Sequence, residues 1–248
     1  MECRAFTRYL GVTVLPFALS GAATKAITRG YGKAAARRFR AGMWSSLLVQ
    51  QALVGLAVAR RDAGSAGHRH RLTVVDLMTL TRGWGAALLA GLLASGIRDR
   101  RGLAGWLGWI SILYGAVLCD WLDGPFARLW GTSEVGVLFD READSWLTLC
   151  SAAAAAEWGG LPLTVASAPL ARYVLVFEGL RTKPYSALFV DEPGWVRRLG
   201  IVQMLLFIAA LAPFRGRATS RVVGLAAPLQ TLLQLYGLLA LRQGIRKG

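Results

Sequence analysis

The stretch GLAGWLGWISILYGAVLC, residues 102–119, runs for 18 residues without a charged side chain. A helix needs roughly 20 apolar residues to cross the hydrocarbon core of a bilayer, so this stretch is nearly long enough to span one. Five more blocks with few or no charges lie around it, at residues 72–97, 145–156, 163–177, 199–214 and 222–241. The pattern predicts an all-α, polytopic transmembrane helical bundle with six core helices over about residues 72–241.

The composition of the whole chain agrees with a membrane protein. Its 248 residues are 54% hydrophobic and 17% charged, with a mean hydropathy of +0.44. Soluble domains have about 25% charged residues, and disordered chains are far less apolar. The composition therefore excludes a disordered chain and argues against a soluble globular one. The 29 glycines suit close packing between helices in a bilayer.

The charge of the chain is strongly basic, with 29 Lys and Arg against 14 Asp and Glu. The basic residues flank the apolar blocks, as expected for loops that face anionic lipid headgroups. We therefore expect membrane lipid as a partner and no nucleic acid. The loop distribution of Lys and Arg places residues 120–144 on the cytoplasmic side. The three cysteines are widely spaced and predict neither a zinc site nor a disulfide.

Residues 1–71 are predicted to form an N-terminal extension with one or two membrane-associated helices, ahead of a transmembrane domain at residues 72–248. Apolar blocks at 9–24 and 41–59 flank a basic segment at 25–40. If the second block spans the membrane, the basic segment faces outward, against the usual bias of basic loops. Two arrangements stay open: a helical hairpin with an unusual loop, or one block lying in the interface.

Four carboxylates lie where one apolar block ends and the next begins: Asp120, Asp123, Asp140 and Asp144. The first pair is spaced i,i+3 and the second i,i+4, so each pair shares one helix face. Acidic side chains are costly at a membrane and indicate function. Two adjacent antiparallel helices bring the pairs together, and a divalent cation then offsets their repulsion. Oxygen ligands favour hard ions such as Mg²⁺ or Mn²⁺.

Small and basic residues accompany these acids. Gly124 and Gly136 let a backbone or a ligand approach closely, and Arg128 offers a forked pair of donors to a phosphate. A metal, an arginine and glycines together suggest a substrate that contains a pyrophosphate, on which metal ions would assist phosphoryl transfer. The helix dipole alone explains an acid pair at a helix start, but not Asp120 and Asp123 at a helix end.

The sequences DWLDGPFAR, residues 120–128, and GVLFDREAD, residues 136–144, together resemble the signature of the CDP-alcohol phosphotransferase family. That signature is DxxDGxxAR, a spacer, and GxxxDxxxD, which is far more specific than a short motif. The spacer at residues 129–135 has seven residues, where the usual pattern has eight. All eight fixed positions are present: Asp120, Asp123, Gly124, Ala127, Arg128, Gly136, Asp140 and Asp144.

The resemblance implies a membrane enzyme that transfers a substituted phosphate from a CDP-alcohol, such as CDP-diacylglycerol, to a hydroxyl acceptor and releases CMP. It implies a homodimeric enzyme of phospholipid biosynthesis. The enzyme would lie in the cell membrane, with its active site facing the cytoplasm. Asp144 is the implied general base, and Gly124, Ala127 and Arg128 would contact the CDP group, with Gly136 allowing close approach. The implied ligands of two Mg²⁺ or Mn²⁺ ions are Asp120, Asp123, Asp140 and Asp144.

Residues 77–82, LMTLTR, resemble the entry of the family's first helix, with Thr79 and Arg82 as candidate nucleotide contacts. An interfacial arginine that snorkels to water is the alternative for Arg82. Arg172 interrupts an apolar block and could instead pair with Glu157 or Glu178. Candidate contacts to a phosphorylated acceptor are Arg141, Arg172, Arg181 and Lys183.

Both lipid and water-soluble acceptors are consistent with the sequence. Two functions of other classes also stay open. A membrane cation transporter would use the same acids as an ion site. A catalytically silent membrane scaffold would act through its basic N-terminal segment. Neither alternative explains why the acids occur together with Gly124 and Arg128.

Overall fold

A computed structural model of the chain describes residues 3–62, 74–97, 134–182, 194–212 and 216–247, together with positions 115, 118 and 129. In these residues all regular structure is helical, which confirms the predicted all-α class for this part of the chain. A 3-10 turn at Leu163–Ala166 precedes the fourth helix. The helices are α1 (Cys3–Asp62), α2 (Val74–Ser95), α3 (Glu134–Gly159), α4 (Ser167–Thr182), α5 (Gly194–Leu211) and α6 (Arg217–Lys247).

Two of the described helices are long and apolar enough to cross a membrane, judged by length and composition. They are α5 over Gly194–Leu211 and α6 over Arg217–Ala240. Both begin several residues before the predicted blocks at 199–214 and 222–241, because each helix continues through basic residues that bounded the apolar block. The predicted span at 102–119 lies almost entirely outside the described residues, so the six-span bundle stays a prediction.

Helix α1 consists of two segments that meet at Gly32, where φ of 84° and ψ of 171° interrupt the helix. Glycine adopts this positive φ without the steric cost of a Cβ. The indole Nε1 of Trp44 donates a hydrogen bond of 3.0 Å to Oγ of Ser20, 24 residues away. A straight helix would separate these residues by about 36 Å. The chain therefore folds back at Gly32 into a helical hairpin. The placement of its two halves in or on the membrane stays a prediction.

The described residues form two compact units, and the first holds α1, α2 and α3 as far as Leu147. The second half of α1 packs antiparallel to α2, with Phe39, Met43 and Leu47 buried against Ala87. At one end of this pair the Arg38 Nε donates to the Ser95 carbonyl at 3.2 Å. The extension therefore packs on the first helix of the predicted core. A domain boundary between residues 71 and 72 stays a prediction.

The close approach of α1 to α2 depends on Gly42. A Cβ at this position would overlap with Cβ of Ala94 and lie 3.0 Å from the Ala90 carbonyl oxygen. We expect Gly42→Ala to lower the free energy of unfolding by about 1–3 kcal/mol, because overpacking forces the helices apart. Gly55→Ala is the matched control, since nothing lies within 4 Å of its added Cβ. Thermal unfolding in detergent measures the stability of both variants. Equal losses of stability in the two variants would contradict this packing.

The second unit holds α3 from Thr148 onward, the 3-10 turn, α4, α5 and α6. Helix α3 ends at Gly159, and Gly160 turns the chain with a φ of 69°. The Gln230 Nε2 on α6 donates to the Leu199 carbonyl on α5 at 2.6 Å. The core of this unit is made of Ala152, Ala155, Leu161, Val165, Ala166, Phe207, Ala210, Val223 and Ala227.

Candidate functional site

Two helices of the first unit carry the described part of the predicted site. Thr79 and Arg82 lie one turn apart on α2, and both are buried. Asp140 and Asp144 lie one turn apart on α3, four residues and eight residues after Gly136. The predicted site residues that lie outside the described part of the chain are Asp120, Asp123, Gly124, Ala127, Arg128 and Lys183.

Arg82 joins the two acids of α3. Its Nη2 lies 2.8 Å from Oδ1 of Asp140, and its Nη1 lies 2.5 Å from Oδ1 of Asp144. The arginine side chain is 1% exposed, whereas the two carboxylates are 41% and 42% exposed. One guanidinium therefore bridges two carboxylates with separate nitrogens, a geometry that the planar fork of arginine allows and the point charge of lysine does not.

The burial of Arg82 decides between the two interpretations of this residue. A snorkelling arginine keeps its charged head in water, but this guanidinium is enclosed and paired with both acids. The pairing also explains how two carboxylates share one helix face, since like charges at i,i+4 otherwise repel. Arg82 therefore fixes the relative position of Asp140 and Asp144. Contact of Thr79 or Arg82 with a nucleotide stays a prediction.

The position of the acids within α3 removes one simple explanation for them. Helix α3 begins at Glu134, well before the predicted block at 145–156. Asp140 and Asp144 therefore lie in the second and third turns of the helix, and the favourable effect of the helix dipole on acids fades beyond the first turn. The dipole does not account for this pair, which contacts the guanidinium of Arg82.

The donor chemistry of the described acids fits a divalent cation. Carboxylate oxygens are the ligands that hard ions prefer, and about two-fifths of each side chain is accessible from outside. Among the described residues no group of three or more His, Cys, Asp or Glu side chains gathers as a metal site. The predicted ligand set also requires Asp120 and Asp123, which belong to the undescribed stretch before α3.

Three candidate contacts to an acceptor lie on two of the described helices. Arg141 follows Asp140 on α3, and Arg172 and Arg181 belong to α4 in the second unit. Arg172 is half-buried. Their role toward an acceptor stays a prediction, as does the alternative pairing of Arg172 with Glu157 or Glu178.

Three polar residues beside the ion pairs were missed by the sequence analysis. The Gln50 Nε2 on α1 donates to the Gly83 carbonyl and to Ser46 Oγ, both at 3.2 Å. The Trp146 Nε1 on α3 donates to the same Ser46 Oγ at 2.6 Å. This cluster ties α1 to the residues that follow Arg82 and Asp144. Its signal in the sequence is Gln50–Gln51, the glutamine pair that interrupts the apolar block at 41–59.

A double-mutant cycle tests this cluster. Gln50→Ala removes both donated bonds and is expected to cost about 1–3 kcal/mol of unfolding free energy. A Cβ added at Gly83 would lie 2.7 Å from Oε1 of Gln50, so Gly83→Ala is expected to displace the Gln50 amide and to weaken its two hydrogen bonds. The clash disappears when Gln50 is already Ala, which predicts a coupling of about 0.5–3 kcal/mol in thermal unfolding. Strictly additive losses would contradict the contact.

A comparison with protein families matches the part of the chain that carries both helices of this site. The CDP-alcohol phosphatidyltransferase family model matches residues 72–242, more than half of the chain. The matched region includes α2 with Arg82 and α3 with both acids, whereas α1 lies outside it. No curated protein and no solved structure gave a match.

Proposed function

Because the chain belongs to the CDP-alcohol phosphatidyltransferase family, we propose that it transfers a substituted phosphate from a CDP-alcohol to a hydroxyl acceptor and releases CMP. Members of this family are integral membrane transferases of phospholipid biosynthesis and generally depend on a divalent metal. The observation that carries the proposal is the joining of two signature acids, Asp140 and Asp144, by a buried arginine within the matched region.

The proposed ligands of two Mg²⁺ or Mn²⁺ ions are Asp120, Asp123, Asp140 and Asp144. When bound, such ions polarise the phosphoryl group and stabilise the charge on the attacking and leaving oxygens. Arg82 offsets the charge of Asp140 and Asp144 and holds their carboxylates in place. Gly124, Ala127 and Arg128 are proposed to bind the CDP group, and Gly136 leaves room for its approach.

The proposed reaction transfers one proton and one substituted phosphoryl group. The acceptor hydroxyl oxygen forms a bond to the phosphorus that bears the donor alcohol, while the bond from that phosphorus to CMP breaks. Asp144 takes the hydroxyl proton as general base, and CMP leaves with the bonding electron pair. A positioned general base contributes about 10²–10⁴-fold to the rate of such a reaction.

The finer assignments belong to the same proposal. The donor is CDP-diacylglycerol, so the transferred group is phosphatidyl, and the enzyme acts as a homodimer in the cell membrane with its active site toward the cytoplasm. Basic residues that would contact a phosphorylated acceptor are Arg141, Arg172, Arg181 and Lys183. The cation-transport alternative does not account for Gly124 and Arg128, which accompany the acids in the sequence.

Pools of candidate acceptors test the proposal and its substrates. The purified protein in detergent is given CDP-diacylglycerol, Mg²⁺ or Mn²⁺, and one pool of alcohols at a time. We expect CMP release with one pool only. Release from a CDP-alcohol with a small water-soluble group, but not from CDP-diacylglycerol, would overturn the donor assignment. Metal flux into liposomes without CMP release from any donor would instead support the transporter.

A further inference from the structure

An open cavity of about 600 Å³ lies between the two halves of the α1 hairpin. Ser20, Thr24 and Thr28 line it from the first half, spaced i, i+4 and i+8, so their hydroxyl groups follow one helix face. Arg40 and Trp44 line it from the second half, one turn apart. The cavity lies in the part of the chain that the family match does not cover.

Three basic side chains surround this cavity. Lys25 and Arg29 form a row beside the hydroxyl groups, and Arg40 faces them from the other half of the hairpin. All three are exposed, and none has a carboxylate partner among the described residues. The sequence contains no Asp or Glu from residue 3 to residue 61. The positive charge of the cavity is therefore not neutralised within the hairpin.

The hydroxyl groups add hydrogen-bonding capacity to this charge. The Thr28 Oγ1 donates to the Thr24 carbonyl at 2.8 Å, while the Thr24 Oγ1 is buried and has no hydrogen-bond partner in the described part of the chain. Arginine forks, a lysine ammonium and hydroxyl groups around one cavity match the oxygens of a phosphate group.

We propose that this cavity, defined by Ser20, Thr24, Lys25, Thr28, Arg29 and Arg40, binds a phosphate mono- or diester. A lipid headgroup and a phosphorylated solute both supply this chemistry. The site is distinct from the one at Arg82. Its lining residues all belong to α1, whereas Arg82 lies on α2 and the two acids lie on α3. The inference does not depend on the proposed transferase activity.

Equilibrium binding to the full chain in detergent tests the site. The probes are short-chain phosphatidic acid and inorganic phosphate, both in EDTA so that metal-dependent binding at the acids does not contribute. The test variant is Arg29→Gln/Arg40→Gln. The matched control is Lys33→Gln/Arg37→Gln, which removes the same charge from exposed residues of the same segment outside the cavity.

We expect the test variant to weaken binding of phosphatidic acid by about ten-fold or more, because two charge-assisted contacts are lost. The control should change it by less than about two-fold, because Lys33 and Arg37 do not line the cavity. If inorganic phosphate competes with phosphatidic acid, the site recognises the phosphate group alone. If inorganic phosphate does not compete, the site recognises a lipid. Equal losses in both variants, or no loss in either, would overturn the proposal.

Discussion

Asp144→Asn is expected to reduce CMP release by about 10²–10⁴-fold or more, because it removes the proposed general base. The change keeps the size of the side chain and an oxygen that can accept from the Arg82 Nη1, which lies 2.5 Å from the native carboxylate. The helices should therefore stay folded. Initial rates of CMP release from CDP-diacylglycerol with Mg²⁺ measure the effect, and circular dichroism checks the helix content.

Glu157→Gln is the matched control for Asp144→Asn. Glu157 is an exposed acid on the same helix, four turns beyond the site. Its replacement should change the rate by less than about two-fold, as is usual for surface substitutions. A full rate in Asp144→Asn would exclude the base role, whatever the control shows. A large loss in Glu157→Gln as well would mean that charge on α3, rather than the site, controls the rate.

Arg82→Gln should destabilise the metal-free protein and should increase the rise in Tm that added Mg²⁺ produces. The substitution removes both ion pairs and leaves two carboxylates one turn apart. The contact with Asp144 is a charge-assisted hydrogen bond, which contributes about 1.5–3 kcal/mol when buried, and the contact with Asp140 is an ion pair. Because the acids are partly exposed, we expect a total loss of about 1–3 kcal/mol. For a chain of this size the apparent Tm falls by roughly 2–4 °C per kcal/mol.

Thermal unfolding with and without Mg²⁺ separates the electrostatic role of Arg82 from simple loss of packing. A divalent cation supplies positive charge that the variant lacks, so Mg²⁺ should raise the Tm of Arg82→Gln more than that of the native protein. Arg82→Lys should recover part of the stability but not the two-nitrogen bridge. Arg221→Gln, an exposed change on α6, is the control. An equal response to Mg²⁺ in all variants would contradict the bridge.

Local spacing was enough to predict some features of the site and not others. The i,i+4 spacing correctly puts Asp140 and Asp144 on one face of a described helix. Their partner Arg82 is separated from Asp144 by 62 residues, and no periodicity within a helix reports such a contact. Gln50 was missed for the same reason, since its partner Gly83 is 33 residues away on another helix.

The ends of the helices were predicted less well than their existence. A block of uncharged residues ends at the first charge, which predicts 145–156 for a helix that runs over Glu134–Gly159. The helix continues because its charged residues find partners, as Asp140 and Asp144 do on Arg82. At the hairpin the decisive feature is the backbone of Gly32, whose φ of 84° is accessible to glycine but is not required by the sequence.

The most direct test of the central claim is the stoichiometry of a single reaction in the purified protein. CDP-diacylglycerol, the active acceptor pool and Mg²⁺ are supplied, and CMP and the new phosphodiester are counted together, with EDTA in a parallel sample. The account predicts one phosphodiester for each CMP released with metal, and neither product in EDTA. Nucleotide release without a phosphodiester, or equal release in EDTA, would contradict a metal-dependent CDP-alcohol transferase.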